Sequence, residues 1–115
     1  MGIQYAVYMN KCACPKDNAS SDCVTLNAAQ MEHLSDIFKA LGHPVRLRMV
    51  VMLLEGERCV CELHAGSKRD FSTISSHLSI LKNCGVVTSE QRGRNIYYRL
   101  CCPCMGYLIR CLSGE

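Results

Sequence analysis

The chain has 115 residues, 49% of them hydrophobic and 20% charged, and a net charge of +3. That length suits one domain with a modest core. No apolar stretch reaches transmembrane length, and Met1 to Asn10 has neither the basic leader nor the apolar core of a secretion signal. Gly2 offers no myristoylation site, because Ala6 stands where Ser or Thr is wanted. Cysteine is the outlier, at 10 residues. In a secreted chain of this size such a density means a disulfide framework. In the cytoplasmic setting expected here the thiols are reduced, and clustered reduced thiols favour metal binding or redox sensing.

Residues 1–25 are expected to form a flexible arm. Gly2, Pro15, Asn18 and the Ser20-Ser21-Asp22 run break any period, yet the segment carries Cys12, Cys14 and Cys23. Residues 26–115 read as a single domain. From Asn27 to Leu41 the apolar residues Met31, Leu34, Ile37, Phe38 and Leu41 recur at helical spacing. Asn27 and Gln30 make an N-cap pair, and Gly42 ends the helix. A second helix runs from Pro44 to Leu54, with Leu47, Val50, Val51 and Leu54 as its expected buried stripe and Arg46 and Arg48 outside. A short helix over Val60 to Ala65 and a polar turn, Gly66 to Asp70, follow. Asp70 is placed to cap a helix from Phe71 to Asn83, anchored by Phe71, Ile74, Leu78 and Leu81. Two strand-like runs, Val86 to Glu90 and Ile96 to Leu100, flank Gly93 as a hairpin. Pro103 opens a last helix whose apolar side is Met105, Leu108, Ile109 and Leu112.

The Phe71–Asn83 helix carries the first functional signal. At about 100° per residue, the side away from its apolar anchor holds Ser72, Ser76, Ser79 and Asn83, with Thr73, Ser75 and His77 flanking. Serines are poor helix formers, so their density costs helix propensity. A face of hydroxyls and one imidazole, without a carboxylate, suits a helix lying among phosphates and base edges in a major groove. The bland alternative is a solvated Ser-rich face. The preceding short helix and turn complete a helix-turn-helix. The hairpin tip adds Arg92 and Arg94, which suit a minor groove or phosphates.

These pieces resemble a known family. The run Ile37 to Leu47 (IFKALGHPVRL), the element Cys59-Val60-Cys61-Glu62-Leu63, the run Ser72 to Leu78, Gly85-Val86-Val87 and the hairpin Arg92 to Leu100 are similar to the ArsR/SmtB metal-responsive repressors. The resemblance covers residues 27 to 112. It implies a mainly α winged helix-turn-helix fold with a small β-hairpin, and a homodimer through the first and last helices. It also implies a repressor that binds double-stranded operator DNA and releases it when an inducer binds. The chain departs from the family at the turn positions of Ser67 and Arg69, often apolar there, which places Lys68 and Arg69 near phosphate.

The thiols fall into groups. Cys59 and Cys61 are two apart, so they reach one ion only at a frayed helix start, where a thiol also ionises more readily. The resemblance makes this element a metal or metalloid site. In the family's arsenic-responsive type a third cysteine follows three residues on, but here that position is His64. In its cadmium- and lead-responsive type the arm completes the pair, which points to Cys12 and Cys14, with Cys23 spare. Four such thiolates make a tetrahedral soft-metal site. Cys101, Cys102, Cys104 and Cys111 form another group, in which three thiols could satisfy trigonal As(III). Cys84 stands alone and reads as packing.

The expected inducer is therefore a soft ion: arsenite or antimonite, cadmium or lead. A thiol-redox or persulfide-sensing repressor of the same fold is the alternative. Cys101-Cys102-Pro103-Cys104 also resembles a redox motif, but no βαβ unit surrounds it, so a thiol oxidoreductase using Cys101 and Cys104 is disfavoured. A cysteine-rich metal-storage module needs neither the Ser-rich helix nor the Arg-tipped hairpin. The four histidines form no triad-like group, so no enzyme activity is expected, nor any organic cofactor or membrane partner.

Overall fold

The computed structural model describes residues 24–114, so the 1–25 arm and its Cys12, Cys14 and Cys23 lie almost wholly outside the described residues. The described chain folds as α1 (Ala28–Leu41), α2 (Pro44–Leu53), β1 (Arg58–Cys59), α3 (Val60–Ala65), α4 (Phe71–Asn83), β2 (Val87–Arg92), β3 (Asn95–Leu100) and α5 (Met105–Ser113). Local chemistry sets most of these limits. Asn27 Oδ1 accepts from the Gln30 amide at 2.7 Å and Gln30 Oε1 accepts from the Asn27 amide at 3.0 Å, the reciprocal box expected at the start of α1. Pro44 occupies the first turn of α2, and the His43 ring caps it by accepting from the Val45 amide at 3.2 Å. Gly85 takes φ 85° just after α4, and Gly93 takes φ 65° at the hairpin tip; both conformations favour glycine.

The sheet has three strands in the order β1-β3-β2, all antiparallel. The hairpin was legible in the sequence; β1 was not. Its two residues pair Arg58 with Tyr98 and Cys59 with Tyr97, too short a run to show alternation. The core collects Met49, Val50 and Leu53 from α2, Leu63 from α3, Ile74, Leu78 and Leu81 from α4, and Val86 and Val87 beyond it. Burying each such side chain stabilises the fold by about 1.5–3 kcal/mol.

Several expected stripes are rotated. On α2, Met49, Val50 and Leu53 are buried while Leu47 and Val51 are exposed. The reason is that α2 packs against α1, α4 and β3 together, so a different side of it meets the core. On α1 the buried residues are His33, Ile37 and Ala40, whereas Met31, Leu34 and Phe38 are exposed. On α5 Met105 is buried and Ile109 packs on the core, but Leu108 and Leu112 are exposed. Phe71 is also exposed, its ring edge-on to His64 rather than in the core. Apolar residues of α1, α2 and α5 come together: the exposed Phe38, Leu47, Leu108 and Leu112, with the partly buried Leu41 and Ile109, line one open groove of about 370 Å³.

Candidate DNA interface and thiol site

Helix α4 presents Ser72, Ser76 and Ser79 to solvent, while Thr73, Ser75 and His77 are half-buried. Two departures from the sequence reading matter. Asp70, expected to cap α4, makes no capping bond to the backbone; its carboxylate accepts from Ser72 Oγ at 2.6 Å and from Thr73 Oγ1. The first turn of the Ser-rich face is therefore occupied by a carboxylate, and these hydrogen bonds hold the Asp70 acid below its ordinary range. Ser76 and Ser79, further along, are exposed without that partner.

His77 is the second departure. Its Nδ1 lies 3.1 Å from Arg46 Nη1, its ring centroid lies 4.5 Å from that of His43, and Arg46 Nε donates to the Ala40 carbonyl at 2.6 Å. His77 thus fastens α4 to α2 and the end of α1. Desolvation, then the nearby His43, Arg46 and Arg69, push its pKa down. The folded state keeps this imidazole neutral, whereas the unfolded chain takes up a proton below the ordinary value of 6.5. Its contribution to stability is complete above that value and declines as pH falls through it toward the folded pKa. His33 shifts in the same direction, through burial opposed by Asp36. We expect His77→Gln to shrink the loss of Tm between about pH 7.5 and 5.5, leaving the His33 part; an unchanged loss in thermal melts would refute the role assigned to His77.

The hairpin separates its two arginines. Arg94 is exposed, and no carboxylate pairs with it among the described residues. Arg92, expected to be equally free, is held by Glu57 at 2.7 and 2.8 Å and by Glu90 at 2.9 Å. Sequence gave no sign of this, because Glu57 and Arg92 are 35 positions apart. In the turn before α4, Lys68 and Arg69 are exposed, and the Arg69 amide donates to Ser67 Oγ at 3.1 Å.

Cys59 ends β1 and is the N-cap of α3. Its Sγ accepts from the Cys61 amide at 3.3 Å, while its own amide donates to Glu62 Oε1 at 3.0 Å. The residue is only 4% exposed, whereas Cys61 is exposed. A hydrogen bond from the Cys61 thiol, then the backbone amides, push the Cys59 thiol down; the same thiol–thiol bond pushes Cys61 up. Of the pair, Cys59 is therefore the thiol that ionises more readily. Both are soft donors, and together they fit half of a tetrahedral thiolate site.

The other thiols are dispersed. Cys84 is buried in the core, its thiol pushed up by desolvation, as expected of a packing residue. Cys101 and Cys102 are half-buried and not disulfide-bonded, and Cys111 is exposed on α5. Cys104 precedes α5 as its N-cap and is a disulfide cysteine, not a free thiol. It is not joined to Cys101, the cysteine with which the disfavoured oxidoreductase reading paired it. Among the described residues, no three His, Cys, Asp or Glu side chains gather in a way that could hold a metal ion.

Three helices ending in an exposed polar recognition helix, followed by an antiparallel hairpin, define a winged helix-turn-helix regulator. Among the described residues no helix is long and apolar enough to cross a membrane. Residues 43–89 match the model of the bacterial regulatory protein, arsR family. A transcriptional repressor, SmtB, from Mycobacterium tuberculosis is 39% identical over 84 residues, 70% of this chain and 62% of that protein. The match thus spans less than two thirds of that relative. An uncharacterised HTH-type transcriptional regulator from Methanocaldococcus jannaschii is 44% identical over 69 residues, 58% of this chain and 78% of that one. Regulators of cadmium resistance from Staphylococcus aureus and of arsenic resistance from Pseudomonas putida match at 37% and 38%, over 58% and 56% of this chain and 56% and 51% of theirs. The homodimeric winged helix-turn-helix DNA-binding domain of a possible ArsR-family regulator from Mycobacterium bovis superposes with a TM-score of 0.72 at 25% identity, covering 84% of this chain and 92% of that one. The chain belongs to the ArsR family of transcriptional regulators, and its relatives are regulators rather than enzymes.

Proposed function

We propose that this chain is a homodimeric repressor that binds operator DNA and releases it when a soft ion binds cysteine thiolates. The observation that carries the reading is the position of Cys59. It is at once the last residue of β1, paired with Tyr97 of the hairpin, and the cap of α3, the first helix of the helix-turn-helix. A ligand drawn to this thiol acts on the hairpin directly and on α4 through α3, which packs against it. Ser76, Ser79 and Arg94 supply the exposed DNA contacts, with Ser72, Thr73, Ser75 and His77 setting the pose of α4. The dimer forms through α1 and α5, supported by their uncovered apolar groove and by the homodimeric related domain.

Cys59 and Cys61 hold the ion together with thiols from beyond the described residues, for which Cys12 and Cys14 are the candidates. When bound, the ion supplies a cross-link between thiolates. The relatives named for cadmium and arsenic resistance support cadmium, lead, arsenite or antimonite as inducer. The test is fluorescence anisotropy on DNA from upstream of its own gene, under anaerobic reducing conditions, adding arsenite, antimonite, Cd(II), Pb(II) and Zn(II) in turn. Release by at least one soft ion is expected; release by none sinks the metal reading. A second reading, a thiol-redox switch in the same fold, is favoured by the disulfide state of Cys104. It predicts release by an oxidant or persulfide without metal, lost in Cys104→Ser.

A further inference from the structure

We propose that Glu57 and Glu90 sequester Arg92, so that the hairpin meets DNA phosphate through Arg94 while Arg92 ties the hairpin to the strand that bears Cys59. The inference rests on the DNA-binding reading above. Arg92 makes a bidentate pair with Glu57, its Nη1 and Nη2 donating to the two carboxylate oxygens at 2.7 and 2.8 Å. A third bond runs from Nη2 to Glu90 at 2.9 Å, and the guanidinium lies 4.8 Å from the centre of the Tyr97 ring. Bidentate, charge-assisted pairs are the strongest hydrogen bonds of this kind. Two carboxylates face this one guanidinium, and Arg99 also lies near enough to Glu90 to act on its charge. A phosphate approaching Arg92 must therefore displace one anion while another repels it. Arg94, on the far side of Gly93, meets no such competitor among the described residues.

The clamp also closes a mechanical loop. Glu57 lies two positions before Cys59 in the chain, and Tyr97, under the Arg92 guanidinium, is the register partner of Cys59 in the sheet. The chain segment leading into β1 is thus tied to β2 and β3 by side chains as well as by the short ladder. A shift of Cys59 moves Glu57, and Glu57 moves the hairpin.

The test is the salt dependence of full-length protein binding to a mixed-sequence DNA duplex. Each phosphate contact contributes about 0.9 to the slope of log affinity against log salt. Arg94→Ala is expected to flatten the slope by about 0.9 per hairpin, and Arg92→Ala to leave it unchanged. Glu57→Gln with Glu90→Gln frees Arg92 and steepens the slope by a similar amount. That amounts to an affinity loss about 3.5-fold larger over a fourfold rise in salt. Adding Arg92→Ala to that pair restores the original slope. The proposal is overturned if Arg92→Ala alone flattens the slope as Arg94→Ala does, or if the double glutamine variant leaves it unchanged. Should the double variant fail to fold, the comparison of Arg92→Ala with Arg94→Ala decides. A wild-type protein that binds no duplex refutes the DNA-binding reading itself, and the proposal falls with it.

Discussion

Replacing Cys59 by Ser is expected to leave DNA binding close to wild type and to remove release by the inducing ion. The side chain has two separable jobs. As N-cap of α3 its sulfur accepts from the Cys61 amide, and a serine oxygen serves that role at least as well. As a buried thiol, held low by its bond to Cys61, it supplies the thiolate that a soft ion requires, and a hydroxyl does not. The substitution therefore keeps the helix start and removes the ligand. An inducer in a system of this kind weakens DNA affinity by about 5–150-fold, a coupling of about 1–3 kcal/mol. In Cys59→Ser that factor should fall to near one, read by anisotropy with and without the ion. Full release by the variant would transfer sensing to other thiols. Cys84→Ser is the contrasting control. It places a hydroxyl in the core, so it lowers Tm but leaves the inducer factor intact.

Phe38→Glu combined with Leu112→Glu is expected to give a folded monomer with severely weakened DNA binding. Phe38 is 48% exposed and Leu112 is 73% exposed in the single chain, so neither change removes core packing. Both residues line the apolar groove between α1 and α5, where a second copy would bury the new carboxylates. Losing the dimer severs two linked half-site contacts, and linkage of that kind contributes about 10²–10⁴-fold to affinity. Sedimentation velocity reads the assembly state and circular dichroism the fold. A variant that remains a dimer would show that the contact lies elsewhere.

The sequence reading of the recognition helix was right in extent and wrong in part of its chemistry. Its limits, Phe71 to Asn83, follow from a local pattern of apolar anchors and glycine punctuation. The assumption of a carboxylate-free face failed at Asp70, whose short side chain found the hydroxyls of Ser72 and Thr73 before the backbone. His77 looked like a donor for DNA because helix periodicity says only which way a residue points. What it points at, Arg46 and His43, is set by how α2 crosses α4.

The type and approximate extent of the helices and the hairpin were thus determined by the sequence itself: the boxed start of α1, the proline start of α2, the glycine at the hairpin tip, and the family likeness carried by residues 27 to 112. So was the choice of thiol chemistry, because cysteine content and the Cys59-Val60-Cys61 spacing are properties of the chain alone. Tertiary structure decided which of those groups are available. Packing α2 on three neighbours buried Val50 of its expected stripe but left Leu47 and Val51 exposed, and left the apolar groove shared with α1 and α5. Pairing the two-residue β1 with β3 joined Cys59 to the hairpin. The same closure brought Glu57 against Arg92, leaving Arg94 the cation of the tip that pairs with no carboxylate among the described residues. The division has one physical cause. Helix caps and turns are satisfied within a few residues, whereas ion pairs and burial depend on elements far apart in sequence meeting in space.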